Sequence, residues 1–216
     1  MEFADIVKER RSVRAFTADR VPRQQVEYVL SLALRAPSAI NLQPWEVIVV
    51  MDSERERLSR RLLRAYQEKQ ISCSPGNTKP MPAHFSRRGV ESFEAIRPLI
   101  DEMGFGFDTY INEGSCNFYG APAAVIVCLD DAFSKARLVD LGLFVGYFVL
   151  AAHDSGLCTC PIGLITAYED EVKDILNIPD DKNVVIGIAL GHPDHEKSIN
   201  QFVSPRESLE KIVRWI

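Results

Sequence analysis

Residues 36–45 read Ala36-Pro37-Ser38-Ala39-Ile40-Asn41-Leu42-Gln43-Pro44-Trp45. Upstream, Val26, Val29, Leu30, Ala33 and Leu34 recur at helical spacing behind Pro22, so a helix with Pro22 at its N1 position is expected to run to about Arg35, where Pro37 stops it. Downstream, Trp45 to Met51 is rich in β-branched residues and bounded by Pro44 and Asp52, which predicts a strand. The stretch is thus a handover from helix to strand, where Pro, Ser and Asn are commonplace. It also sets Ser38, Asn41 and Gln43, with their hydroxyl and amide groups, in a loop stiffened by two prolines.

The same mixing of element types continues outward. Phe3 to Arg10 predicts a short helix, and Ser53 with Glu56 forms a capping box before a helix carrying Leu58, Leu62, Leu63 and Tyr66. Residues 72–89 are rich in Pro, Ser and basic side chains and predict a long loop, followed by a helix over 91–103 and a flexible Gly104-Phe105-Gly106-Phe107 stretch. We take 72–110 as a candidate lid. Ala123 to Leu129 and Val184 to Leu190 are apolar runs suited to buried strands, and Ala136 to Ser155 predicts a helix apolar on nearly all sides, stopped by Gly156. Such a helix belongs at the centre of the molecule or at a subunit interface. Cys158 to Leu164 reads as a Gly/Pro loop, Glu169 to Leu176 as a short amphipathic helix, and Ser204-Pro205-Arg206-Glu207 as the capped start of a last helix. With no repeat, no linker and no regular βαβ alternation, the expected class is α+β, one domain over 1–216 with a central, mainly antiparallel or mixed sheet flanked by helices.

Composition narrows the function classes. The 216 residues are 46% apolar and 25% charged with net charge −5, which is ordinary globular usage without a general basic field, so no nucleic-acid partner is expected. The longest apolar run, Leu141 to Ala152, falls short of the roughly 20 residues that span a bilayer, and the start lacks a basic n-region before an apolar core. A cytoplasmic location without a membrane partner is the expectation. Five cysteines, at 73, 116, 128, 158 and 160, are an odd and scattered set that suits free thiols. Cys158-Thr159-Cys160 has no second Cys or His pair at zinc spacing, so no metal is expected. His192 and His195 are read as loop residues, and His153 as a satisfied or interfacial histidine.

Arg10-Arg11-Ser12-Val13-Arg14 gathers three guanidiniums and a hydroxyl within five residues. A phosphate carries roughly −1.5 to −2 charge and needs several matched donors when it leaves bulk water. These residues supply such donors, and Arg206 at position N2 of a capped helix would add another beside free backbone N–H groups. A solvated basic helix end balanced by Glu2, Asp5 and Glu9 accounts for the same residues.

The two segments together resemble the FMN-dependent nitroreductase family, which opens with Arg-Arg-Ser-x-Arg and continues with Pro-Ser-x-x-Asn-x-Gln-Pro-Trp at comparable separation. Phe118-Tyr119-Gly120-Ala121-Pro122, Asp140, the Gly-Leu-x-Thr-Cys-x-Ile-Gly pattern within 151–163, Gly191-His192-Pro193 and Arg206 extend the likeness nearly end to end. Ala39 and Leu42 depart from it, standing where many relatives have Gly and a small polar residue. The resemblance implies an intertwined homodimer with FMN at the interface. Arg10, Arg11, Ser12 and Arg206 would hold the phosphate and ribityl chain, with Arg14 at the pyrimidine edge. Pro37, Ser38, Asn41 and Gln43 would line the ribityl and ring edge, and Pro161, Ile162, Gly163 and Leu164 would run past the ring. Phe105, Phe107 and Tyr110 would form the substrate side of the lid. Flavin N5 carries the chemistry, so no protein side chain is assigned a catalytic role. The implied reaction takes hydride from NADH or NADPH and passes electrons, by a ping-pong mechanism, to a small-molecule acceptor such as a nitroaromatic or quinone. The alternatives are another reaction of this superfamily, reductive dehalogenation or flavin fragmentation, and a non-catalytic flavin sensor.

Overall fold

The structure, a computed structural model, describes residues 2–216. The elements in order are α1 (Phe3–Glu9), α2 (Arg23–Ala33), β1 (Trp45–Met51), α3 (Asp52–Lys69), α4 (Ala83–Glu102), α5 (Phe107–Cys116), β2 (Ala123–Asp130), α6 (Leu138–Asp154), β3 (Cys158–Ile162), α7 (Glu169–Leu176), β4 (Lys182–Gly191) and α8 (Leu209–Ile212), with short 3-10 turns between some of them. The four strands form one sheet in the order β1-β2-β4-β3, and every pairing is antiparallel. The class is the expected α+β with a central antiparallel sheet.

Side-chain alternation explains why β2 reads as a continuous apolar run. Val125, Val127 and Leu129 face a core shared with Val29 of α2 and with Phe144 and Phe148 of α6. Ala124, Ile126 and Cys128 face the opposite core, with Leu58 and Leu62 of α3 and Val172 of α7. A strand covered on both faces has no polar side to show. A third, smaller cluster of Ile96, Ile100, Ile199 and Phe202 docks α4 on the chain after β4.

The central helix α6 lies as expected, and Gly156 at φ 77° stops it in a conformation that glycine adopts without steric cost. With the turn before it, Lys135–Asp154 is long and apolar enough by length and composition to cross a membrane. Its Leu141, Phe144 and Phe148 are nevertheless spent on the sheet, as in a core helix. Its other side is different: Val139, Leu143 and Tyr147, at i, i+4 and i+8, are all exposed.

Several local expectations are corrected. Pro22 precedes α2 as its N-cap, and α2 ends at Ala33. The capping box does not form, because β1 stays paired through Met51 and the chain turns directly into α3 at Asp52, φ 51°. The second half of the supposed loop at 72–89 is helical, since α4 begins at Ala83 and packs through Ile96 and Ile100, its basic residues masking the period. Phe107, expected in a flexible stretch, opens α5, which continues through residues 108–116 that were not assigned from sequence.

Cys158–Ile162 is a strand and not a loop. It pairs with β4 on one side, and an edge position tolerates the missing N–H of Pro161. The last helix is reduced to Leu209–Ile212 with Ser208 at its N-cap, so Arg206 lies in irregular chain and not at a helix N-terminus. All five cysteines are free, as expected.

Candidate functional site

The free side of β3 receives the arginine segment. Ser12 bridges Thr159 in parallel, and Val13 N–H donates to the Thr159 carbonyl at 3.0 Å. This pairing brings residues 10–14 alongside 158–163, two stretches about 150 positions apart in the chain. Downstream, Asn200 locks the segment: its Oδ1 accepts from Arg14 N–H at 2.9 Å, and its Nδ2 donates to the carbonyls of Ala15 and Asp194 at 2.7 and 2.8 Å. The Tyr110 hydroxyl donates to the Arg14 carbonyl at 2.6 Å. Burial pushes that hydroxyl up to about 12, so it stays a neutral donor at working pH.

Two cavities open on either side of this junction. The first, of about 750 Å³, is lined by Arg10, Arg11, His153, Cys158, Ser204 and Arg206 among others. Burial lowers the Arg10 pKa, and the neighbouring charge of Arg206 lowers it further. Among the described residues no carboxylate comes within ion-pair distance of Arg10, Arg11, Arg14 or Arg206. A half-buried guanidinium crowded by an exposed one, without a counter-charge, is arranged for an anionic ligand. Arg206 Nη1 is itself steadied by the Ser204 hydroxyl at 2.5 Å and the Ser204 carbonyl at 3.0 Å.

His153 is not satisfied within its own chain, for its buried Nε2 has no partner among the described residues and the ring faces this cavity. Burial chiefly depresses its pKa, so the imidazole is neutral at pH 7.

The second cavity, of about 610 Å³, is mainly apolar and runs under α4. Arg14, Pro161, Ile162, Gly163, Phe107 and Phe202 line it, together with Cys73 and Cys160. The Arg14 Nε is buried without a partner, and its guanidinium lies 6.0 Å from the Phe202 ring centroid. One unmatched cation at the edge of an apolar slot suits a flat ligand carrying an acceptor edge. Burial pushes the Cys160 thiol up to about 11, which keeps it uncharged there.

The sequence-derived set is therefore partly assembled. Arg10, Arg11, Arg14, Arg206, Pro161, Ile162, Gly163 and Phe107 line the two cavities, while Ser12 sits in the pairing that joins them. Leu164 is buried in the α3/α7 core. Phe105 and Tyr110 line a third cavity of about 530 Å³ on the other side of Arg14, with Phe16 and Glu113. Pro37, Ser38, Asn41 and Gln43 line none of these cavities. They stand on an exposed turn in which Gln43 N–H donates to Ser38 Oγ at 2.9 Å and Ile40, Asn41 and Gln43 all have positive φ. A β-branched residue at φ 44° that is 90% exposed is strained and unsheltered. Asn200 and Phe202 were missed from sequence, because an isolated Asn and Phe after the last strand carry no pattern.

Helix α4 is tied to the C-terminal arm through Glu207, which lies 2.6 Å from Arg87, 3.2 Å from Arg88 and 2.9 Å from Lys211. Hydrogen bonds from Lys211 and then Arg87 pull its carboxyl from 4.5 to about 2. A carboxylate with a depressed pKa holds its partners above its unfolded value and releases them as pH falls through the folded one. We expect the link to persist at pH 5 and to open only as pH approaches 2, read as the Glu207 carboxyl-carbon midpoint in an NMR titration. A midpoint near 4.5 would show that the link is absent in solution.

Comparison with known proteins agrees with this geometry. The model of the Nitroreductase family matches residues 7–192. The chain is 31% identical to a chloronitrobenzene nitroreductase of Comamonas testosteroni, over 98% of this chain and 96% of that protein. It is 29% identical to a 4-nitrobenzoate reductase of Pseudomonas putida, over 100% and 96% of the two. Among solved structures, the FMN-dependent nitroreductase NfnB from Mycobacterium smegmatis, in complex with NADPH, superposes with a TM-score of 0.88 at 29% identity, over 99% of this chain and 97% of that one. Pattern, fold and site geometry converge, and the chain belongs to the nitroreductase family.

Proposed function

We propose that the protein is an FMN-dependent oxidoreductase that takes hydride from NADH or NADPH and reduces a nitroaromatic, quinone or similar small acceptor. The observation that carries this reading is the partly desolvated Arg10 beside the exposed Arg206, without a carboxylate partner among the described residues, one cavity away from the unpartnered Arg14 Nε. The spacing of a terminal phosphate and a flat, hydrogen-bonding ring on one ligand fits that arrangement. FMN, when bound, supplies the hydride-accepting and electron-donating ring. The chain supplies the rest: Arg10, Arg11 and Arg206 bind the phosphate, Asn200 and Tyr110 hold the Arg14 backbone, and the Arg14 cation favours the reduced ring by compensating its negative charge. The apolar wall under α4 excludes water and accepts the acceptor's ring.

The whole chain works as one FMN-binding domain, with 72–110 as its lid. The active form is a homodimer. Three features support it: the exposed stripe Val139, Leu143, Tyr147 on α6, the strained and bare Ile40, and the exposed Leu209, Ile212 and Trp215 of the C-terminal arm. In that assembly the Pro37–Gln43 turn completes the site of the second copy, which explains why it lines no cavity of its own. A cytoplasmic location fits the five free thiols.

The decisive test is an absorption spectrum of the purified protein with FMN, followed by anaerobic titration with NADH and NADPH. A flavin spectrum bleached by either donor is expected; bound flavin bleached by neither would favour a sensor. The dimer is checked separately by Leu143→Glu, which places a charge in the apolar stripe and is expected to yield a folded monomer with FMN affinity reduced at least tenfold. Light scattering that still reports a dimer would remove α6 from the interface.

A further inference from the structure

The buried side-chain atoms without a partner among the described residues are Arg14 Nε, Arg55 Nε, Glu171 Oε2 and His153 Nε2. Arg55 and Glu171 are held through their other atoms, by Ser59 and Asn117 and by Lys69. His153 instead faces the cavity of Arg10, Arg11 and Arg206. It stands in the last turn of α6, beside the buried Val149, Ala151 and Ala152. An imidazole nitrogen cut off from water there costs free energy unless something bonds it.

The elements around the imidazole set its charge. Glu9 ends α1, Arg10 and Arg11 follow it, and Asp154 is the next residue of α6; the two carboxylates favour a proton on His153 and the two guanidiniums oppose it. From β3 comes Cys158, whose thiol is pushed up by burial and stays neutral. From α2 comes the uncharged Gln25, whose Nε2 donates to the Ser155 carbonyl at 2.8 Å. Lys8, His195 and Arg206 complete the ionisable lining of the cavity. The carboxylates and guanidiniums oppose one another, so burial decides, and the ring of the free protein is neutral at pH 7.

We propose that His153 is a further ligand of the FMN phosphate and takes up a proton as that phosphate binds, so that FMN is held more tightly in mildly acidic than in mildly alkaline solution. The inference rests on the assignment of this cavity to the FMN phosphate. An anion of roughly −1.5 to −2 charge cancels the two opposing guanidiniums and gives Nε2–H an acceptor. The last turn of a helix also favours a cation. The sign follows from linkage: burial holds the free imidazole below 6.5, the bound phosphate raises it, and between the two values each unit of rising pH weakens FMN by up to about tenfold. The second ionisation of the phosphate itself, near about 6, acts in the opposite sense, so the diagnostic window lies above it.

Titration calorimetry of the full-length protein with FMN and with riboflavin, at about pH 7 in two buffers of different ionisation enthalpy, counts the protons taken up. FMN should take up a substantial fraction of one proton and riboflavin none. Between about pH 6.5 and about pH 8.5 the Kd for FMN should rise about three- to tenfold in wild type and in His195→Gln, and less than about twofold in His153→Gln. His153→Arg, with a permanent cation, should restore tight binding at the alkaline end and remove the pH dependence. Absence of proton uptake by wild type overturns the inference without recourse to any variant. A pH slope that persists in His153→Gln, or one that disappears in His195→Gln, overturns it as well. FMN bound no more tightly than riboflavin would instead overturn the assignment of the cavity to the phosphate.

Discussion

Arg206→Ala is expected to weaken FMN binding by about thirty- to a hundredfold while riboflavin binding changes no more than about twofold, since one or two charge-assisted hydrogen bonds to a phosphate contribute about 2–3 kcal/mol. Because no described carboxylate pairs with Arg206, its loss leaves no buried anion behind. It also relieves the repulsion that Arg206 exerts on Arg10, so the ligand-free protein should melt no lower than wild type. Opposite effects on ligand affinity and on ligand-free stability mark a binding residue, because a structural arginine would lower both. Calorimetric titration with each flavin, with a melting curve before and after, measures all three quantities. An equal loss for FMN and riboflavin would remove Arg206 from the phosphate.

Phe144→Ala is expected to destabilise the fold by about 3–5 kcal/mol, or about 10 °C in melting temperature for a chain of this size. Phe144 is fully buried, its ring stacked 5.3 Å from Trp45 and 6.3 Å from Phe148, between α6 and the sheet. Truncation leaves a cavity that the rigid strand β1 and the Trp45 ring close poorly. The neighbouring Leu143→Glu, on the opposite side of the helix, should leave the melting of the isolated chain nearly unchanged and alter assembly instead. Equal melting losses from the two would mean that both faces of α6 are core and that no interface stripe exists.

The elements legible from sequence share one property: their pattern is set by contacts close along the chain. The apolar run 123–129, the turn chemistry before Trp45 and the glycine after α6 each specify β2, β1 and the end of α6 almost to the residue. The misjudged elements depend on distant partners. Cys158–Ile162 contains a proline and two cysteines and has no strand signature, yet β4 on one side and Ser12 on the other supply hydrogen bonds that extend it. Ser204–Glu207 carries every local mark of a helix start, and Glu207 is nevertheless drawn out of helix by Arg87 and Arg88 of α4. Two long-range ion pairs outweigh a capping preference of about 1 kcal/mol.

The site divides along the same line. By itself the sequence determined the ligand chemistry: three arginines and a serine for a phosphate, a second arginine site near the C-terminus, and an α+β frame that resembles a flavoprotein family. Residue types decide charge and hydrogen-bonding capacity, and these do not change when the chain folds. Only the tertiary structure decided which of those groups meet. It set Arg10 beside Arg206 and buried Arg14 Nε and His153 Nε2 without partners, and it left the Pro37–Gln43 turn outside the three cavities around residues 10–14. The physical reason is that desolvation and the absence of a counter-charge are properties of a place, made by residues nearly 200 positions apart, and no local pattern records them.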